Sequence, residues 1–272
     1  MRVKGGEDQD IGSGSEDLEI RLLQYDLRAI EDNDRLIGVD ESGRGALAGP
    51  VVAAAVCLDK NFYDSEWCKR EAHAIEDSKQ LSPVQRENLF AEFKMLKRKG
   101  LIDAEVGIAS VEQIEKHNIL GATRIAMQQA VEAIASHKDE SVSLPLIEKE
   151  DNLFHEEVIE GDVPPSRNCI MVDGRPLRPF PYSHVAVVAG DAKSLVIAMA
   201  SIIAKVTRDT LMMELDRNYP QYGFAHHKGY GTTRHQAAIL NGGPTPVHRT
   251  LFLRKLFKTE SEENQAVLEL IS

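Results

Sequence analysis

The chain reads as an α/β domain on a mixed sheet, because strand-length apolar runs come first and then alternate with helical periodicity. Two apolar segments, Leu36–Val39 and Val51–Leu58, flank a glycine-rich turn, and the second is continuous enough for a strand buried on both faces. Leu195–Leu215 is the longest helical pattern, with Ala198, Ala200, Ser201 and Ala204 forming a small face suited to close packing.

Residues 1–16 are polar, acidic and Gly/Ser-containing, so disorder is expected. Leu18–Ile30 carries apolar residues at helical spacing and is expected to be a packing helix. Ser82, Pro83 and Gln85 read as an N-cap, a first-turn proline and a capping box, opening a helix that runs to about Lys99 and stops at Gly100. Asp103–Ala109 alternates as a strand, Val111 opens a helix, and Ile119–Ser136 is a further one. Asn168–Asp173 and His184–Ala189 read as strands, and Thr232–Leu240 and Val247–Leu256 as closing helices. Between them, 137–167 loses periodicity, gains charge and contains Pro145, Pro164 and Pro165, the signature of an inserted loop. The expected organisation is an N-terminal extension over 1–34, a catalytic domain over 35–257 that includes the insertion, and an acidic tail over 258–272.

At 272 residues, with 42% hydrophobic and 28% charged residues, the composition is that of a soluble globular protein. No apolar run reaches the roughly 20 residues of a membrane span. The N-terminus lacks an apolar signal region, and Cys57, Cys68 and Cys169 lack CxxC spacing. A cytoplasmic monomer with reduced thiols is the expectation. Net charge is −11, but it is unevenly spread: 1–34 and 137–167 each carry −6 and 258–272 carries −3, leaving the rest at +4. Ala189–Phe257 alone has 9 Lys/Arg against 4 Asp/Glu, so an acidic whole can contain a basic working face.

The chemistry concentrates around Leu36-Ile-Gly-Val-Asp-Glu-Ser-Gly-Arg-Gly-Ala-Leu-Ala-Gly-Pro50. Asp40 and Glu41 end an apolar strand beside a Gly43-Arg44-Gly45 turn, an arrangement that suits a divalent metal and a phosphate. A hairpin turn with one exposed acidic edge would leave the same trace. Asp173 closes Cys-Ile-Met-Val-Asp and Asp191 closes His-Val-Ala-Val-Val-Ala-Gly-Asp, although each alone could be an ordinary turn acid beside glycine. If these strands are neighbours, four carboxylates converge, and oxygen-only ligation favours Mg²⁺ or Mn²⁺ over zinc.

The opening motif, Asp77-Ser78-Lys79, Asn118-Ile-Leu-Gly-Ala-Thr123, Met171-Val-Asp-Gly174 and Gly190-Asp-Ala-Lys-Ser194 resemble bacterial ribonuclease HII, a type 2 ribonuclease H. So do Ala200–Asp209 and Tyr219-Pro-Gln-Tyr-Gly-Phe-Ala-His-His-Lys-Gly-Tyr-Gly-Thr232, and the match runs in order from about Leu36 to Leu256. The resemblance implies an RNase H-like fold with a C-terminal helical portion, acting on the RNA strand of RNA–DNA hybrids and incising 5′ to single ribonucleotides in duplex DNA. It implies Asp40, Glu41, Asp173 and Asp191 as catalytic acids holding two Mg²⁺ or Mn²⁺ ions, with 5′-phosphate and 3′-hydroxyl products. It further implies that Gly43-Arg44-Gly45 reads the ribose 2′-hydroxyl and that Tyr230 stacks on the following sugar. Ser78, Lys79, Asn118, Lys193 and Lys228 are the other expected substrate contacts, with Lys205 and Arg208 as further candidate phosphate contacts. His226 and His227 are expected to be structural or near substrate, and Asp209 and Asp216 to pair locally.

Departures from the family pattern are Ala189, where lysine is frequent, and the acidic 137–167 segment. The N-terminal extension is too short for the extra domain of ribonuclease HIII. A sliding-clamp contact stays open, with no motif for it evident in the chain.

Overall fold

The computed structural model describes residues 13–75, 81–136, 144, 168–254 and 256–257, with side chains from residue 22 onward. Helix α1 (Ser13–Glu31) leads into strand β1 (Arg35–Ser42), the glycine-rich turn and strand β2 (Val51–Asp59). Two short helices, α2 (Lys60–Asp64) and α3 (Glu66–Glu71), precede α4 (Pro83–Arg98), strand β3 (Asp103–Ala109) and α5 (Val111–Ser136). Strands β4 (Asn168–Asp173) and β5 (Val185–Val187) follow, then α6 (Leu195–Asn218), the single-turn α7 (Phe224–His227) and α8 (Thr233–Gly242). The five strands form one sheet in the order β3-β2-β1-β4-β5. β1 pairs antiparallel with β2 and parallel with β4, so the α/β class with a mixed sheet holds.

Helices cover both faces of the sheet. On one side α6 packs with Leu36, Val56 and Leu58, supported by Leu22 and Ile30 of α1 and Phe93 of α4. On the other, α5 packs against Ile37, Val39, Ala53 and Ala55 through Ala126, Ala130 and Ile134. β2 is buried along all but its last residue, as its unbroken apolar run requires. The small face of α6 has a partner in Gly38: a Cβ there would lie 2.5 Å from the carbonyl carbon of Val196. Only glycine lets the α6 backbone rest on the middle strand.

Strand alternation then sorts the acids. With Gly38 on the α6 face, Asp40 two residues on faces the same way, and Glu41 faces the other. The parallel register pairs Val39 with Val172, so Asp173 ends β4 beside Asp40. The site's coordinates are therefore set by sheet registration.

Several boundaries differ from expectation. α1 begins at Ser13, inside the stretch expected to be disordered, because an anchored helix extends cheaply at its end. β5 is only three residues long, so Asp191 does not end a strand; Ala189 turns the chain with φ +54° and Asp191 sits in a single 3-10 turn, Gly190–Ala192. The last helix begins at 250, because Arg249 N–H donates to the Leu47 carbonyl and His248 bridges Ala48. The helices α2, α3 and α7 are too short to show a period. The capping box at Ser82 and Gln85 is present, and the break between the two helical segments of α5 falls at Asn118. Cys57, Cys68 and Cys169 are free thiols, and no helix among the described residues is long and apolar enough to cross a membrane. The 137–143 and 145–167 parts of the insertion and the 258–272 tail lie outside the described residues.

Asp26 fastens α1 to the start of α6. Its buried carboxylate accepts from the Ser194 hydroxyl (2.6 Å), the Val196 N–H (2.8 Å) and the Tyr63 hydroxyl (3.2 Å). Burial outweighs these donors and pushes its pKa up to about 7 from 3.8. The folded state thus keeps a proton that the unfolded chain loses, and stability falls as pH rises from about 4 through about 7. Asp26→Asn, whose amide can donate to Ser194, is expected to remove this slope. Denaturant titrations of both proteins at several pH values check it: their difference should grow toward neutrality, at no more than about 1.4 kcal/mol per pH unit.

Candidate active site

Asp40 is buried, and its carboxylate accepts from its neighbour's backbone, Glu41 N–H, at 2.7 Å. Ser201, on the small face of α6, adds a second hydrogen bond. Burial raises the Asp40 pKa well above the usual carboxylate range, and the charges of Glu41 and Asp173 push the same way. Glu41 is also raised, by burial first; Arg44, 3.0 Å from its Oε1, opposes this and Asp173 adds to it. The Oδ1 of Asp173 accepts from Gly190 N–H at 2.5 Å, which draws the turn carrying buried Asp191 onto the end of β4.

The four predicted acids are thus brought to one end of the sheet, although among the described residues no three metal-ligating side chains are gathered as a finished cage. The donor set nevertheless fits a hard divalent cation. It is all carboxylate, and at Asp40 and Glu41 burial and neighbouring negative charge both disfavour ionisation, which a cation would reverse.

Beside the acids, the turn at Gly43-Arg44-Gly45 is held from beneath by two arginines that are both 0% exposed. Arg208 of α6 donates to the carbonyls of Pro50 (3.0 Å), Ala48 (3.1 Å) and Lys228 (2.9 Å). Arg249 donates to those of Gly49 (2.9 Å), Arg44 (3.0 Å) and Pro50 (3.1 Å). Burial lowers the pKa of both, Arg249 to about 9. Arg208 is therefore not a phosphate contact: its guanidinium is spent on backbone carbonyls. Its place four residues after Ala204 put it on the packing face of the helix, but nothing local showed which carbonyls it would meet. Arg249 carried no comparable signal.

Gly43 has φ +97°, and a Cβ there would come within 1.9 Å of Arg208 Nε. At Gly45 a Cβ would meet nothing within 4 Å, so the turn presents open backbone to solvent. The neighbouring strip 229–230 is tied to the turn by Leu47 N–H donating to Gly229 O at 2.8 Å. Tyr230 is 37% exposed, with its ring 5.3 Å from the Arg208 guanidinium carbon. A buried cluster of Ala48, Met212, Tyr222, Phe224, Ile239 and Leu253 lies under this strip.

The remaining predicted residues divide. Lys193 is exposed two residues after Asp191. Lys228 has φ +52° and its Nζ donates to Ala225 O at 2.6 Å. Asn118 caps the second half of α5, its Oδ1 accepting from Leu120 and Gly121 N–H. Lys205, a candidate phosphate contact, pairs with Asp209 at 2.6 Å, the neighbour pairing expected of that acid, whereas Asp216 accepts from Ala225 N–H of α7 rather than pairing with a basic neighbour on its own helix. His226 is exposed, whereas His227 is half-buried and hydrogen-bonded to Tyr222 O, which makes it structural. Ser78 and Lys79 lie outside the described residues.

The sequence model of the family described as Ribonuclease HII matches residues 37–260, most of the chain. The chain belongs to the ribonuclease HII family. It is 41% identical to ribonuclease HII of Fusobacterium nucleatum subsp. nucleatum over 246 residues, which cover 90% of this chain and 95% of that one. With ribonuclease HII of Geobacillus kaustophilus the identity is 40% over 230 residues, 84% of this chain and 72% of the relative. Among solved structures, ribonuclease H2 from Pyrococcus horikoshii OT3 superposes with a TM-score of 0.52 at 24% identity, over 83% of this chain and 98% of that one. This second likeness is one of fold. The protein is accordingly a type 2 ribonuclease H, a nuclease.

Two substitutions test the clamp. Gly43→Ala should lower both activity and stability, because at φ +97° its Cβ would come within 1.9 Å of the buried Arg208 Nε and force the turn and the clamp apart. Arg208→Met should cost about 2 kcal/mol or more by removing the guanidinium from the carbonyls of Ala48 and Lys228, Pro50 O keeping Arg249 as donor. Thermal unfolding together with turnover on a ribonuclease H substrate separates the two effects.

Proposed function

We propose that this ribonuclease HII cleaves the RNA strand of RNA–DNA hybrids and incises 5′ to single ribonucleotides embedded in duplex DNA. The observation that carries the reading is the juxtaposition of an open glycine turn held by Arg249 through Arg44 O, Tyr230 against Arg208, and the carboxylate cluster, which Arg44 joins to the turn through Glu41. A DNA-only nuclease has no 2′-hydroxyl to read and no use for such a turn.

In this reading Gly43-Arg44-Gly45 offers backbone groups to the 2′-hydroxyl, with no side chain on either glycine to hold the sugar away. Tyr230 stacks on the next sugar and bonds the same hydroxyl. Lys193 and Lys228 meet phosphates, supplying affinity and register rather than selectivity. Asn118, its oxygen committed to the α5 cap, has its NH₂ for substrate. The family resemblance also implies Ser78 and Lys79 as substrate contacts. Asp40, Glu41, Asp173 and Asp191 would hold two Mg²⁺ or Mn²⁺ ions. When bound, such ions supply Lewis-acid stabilisation of the reacting phosphate and a nucleophilic water at neutral pH. Ser201 and the Glu41 N–H orient Asp40, Gly190 N–H orients Asp173, and Arg44 holds Glu41. The products carry a 5′-phosphate and a 3′-hydroxyl.

A duplex with one ribonucleotide should be cut 5′ to it while an all-DNA control survives; equal cleavage of both would end the proposal. Asp40→Asn should lose at least about a hundredfold in rate with Mg²⁺ present, without loss of fold. Tyr230→Ala should lower turnover at a single ribonucleotide by about tenfold or more through lost positioning.

A further inference from the structure

Behind Tyr230 three histidines stand in line, and their partners assign every ring nitrogen. His248 Nδ1 accepts from Thr245 N–H at 3.0 Å, so its proton is on Nε2. That proton points at His235 Nε2, 3.2 Å away, which must accept. His235 therefore carries its proton on Nδ1 and donates it to the backbone carbonyl of Tyr230 at 2.9 Å. His227 stacks on His235 with ring centroids 4.3 Å apart; it accepts from Gly229 N–H on Nδ1 and donates from Nε2 to Tyr222 O. His235 and His227 are neutral, because a second proton would face His248 Nε2–H or Gly229 N–H; at His248 both the N–H and the hydroxyl of Thr245 (2.8 Å) reach Nδ1, and burial disfavours a second proton there.

We propose that His248 and His235 are positioning residues for Tyr230, a one-way relay of neutral imidazoles that holds the tyrosine's backbone where its ring faces substrate. The inference rests on the proposed role of Tyr230. The relay touches the site at both ends: His248 also bridges Ala48, in the segment clamped by Arg208 and Arg249. The ionisable groups outside the line that act on it are Arg234 of α8, His226 of α7 and Asp216 of α6, all through His227.

Burial lowers the pKa of all three histidines, that of His248 to about 4. A histidine depressed in the folded state contributes stability above its unfolded pKa of about 6.5 and loses it as pH falls toward the folded value. In the folded protein the lowered values keep the relay neutral through pH 6.5, and it should loosen only as pH falls toward about 4, where His248 takes a second proton.

Two measurements test it on the full-length protein. In ¹⁵N-histidine NMR of the wild type at neutral pH, His248 and His227 should be Nε2–H tautomers and His235 the Nδ1–H tautomer. His235 found charged, or protonated on Nε2, overturns the relay whatever Tyr230 does. Kinetics then compare His235→Asn, whose amide can replace the Nδ1–H donor, with His235→Phe. The phenylalanine variant should lose about tenfold at a single ribonucleotide, the equivalent of one hydrogen bond, and the asparagine variant should recover most of it. Equal rates for a folded phenylalanine variant and the wild type, or no recovery by asparagine, overturn the positioning role. Tyr230→Ala with unchanged turnover instead overturns the reading of the tyrosine, a result that the tautomer assignment does not depend on.

Discussion

Two guanidiniums buried among backbone carbonyls are the constraint on which the rest of the site depends. Arg208 and Arg249 together accept the task of satisfying the carbonyls of Arg44, Ala48, Gly49, Pro50 and Lys228. A loop from 43 to 50 buried against helices would otherwise leave those acceptors without partners, each at a cost of about 1–3 kcal/mol. The planar fork of arginine suits the task, since one side chain can serve three carbonyls at fixed angles. The charge is retained because the carbonyl dipoles replace water around it, which is why burial lowers both pKa values without discharging either group at neutral pH.

From that anchor the site assembles outward. Arg208 comes from the long helix that also lies on Gly38, so one rigid element sets both the depth of the sheet end and the height of the glycine turn. Its guanidinium reaches the carbonyl of Lys228 and lies against the ring of Tyr230, which couples the tyrosine strip to the turn although nearly 190 residues separate them in sequence. The histidine line behind Tyr230 braces the same strip from the far side, through neutral hydrogen bonds that need no charge in a buried place.

The acidic end of the sheet works on the opposite principle. Asp40 is raised by burial and by the charges of Glu41 and Asp173, and Glu41 by burial and Asp173, while Arg44 opposes this only at Glu41. The buried arginines thus set the shape of the loop, and ionisation stays disfavoured at Asp40 and Glu41, the condition under which a divalent cation binds with most effect.

Much of this was legible in the residues alone. The strands β1 to β4, the capping box at Ser82 and the two-part helix around Asn118 follow from periodicity and cap chemistry, which are local. Asp40, Glu41, Asp173 and Asp191 were visible because each sits where an apolar run meets glycine. What tertiary structure decided were the facts that join distant segments: that Asp191 lies in a turn pulled onto β4 by Asp173, that Arg208 faces inward to carbonyls rather than outward to phosphates, and that Arg249, His235 and His248 belong to the site at all. No local rule distinguishes an arginine that will bind a phosphate from one that will satisfy a loop. That depends on which backbone groups the folded chain leaves unpaired beside it.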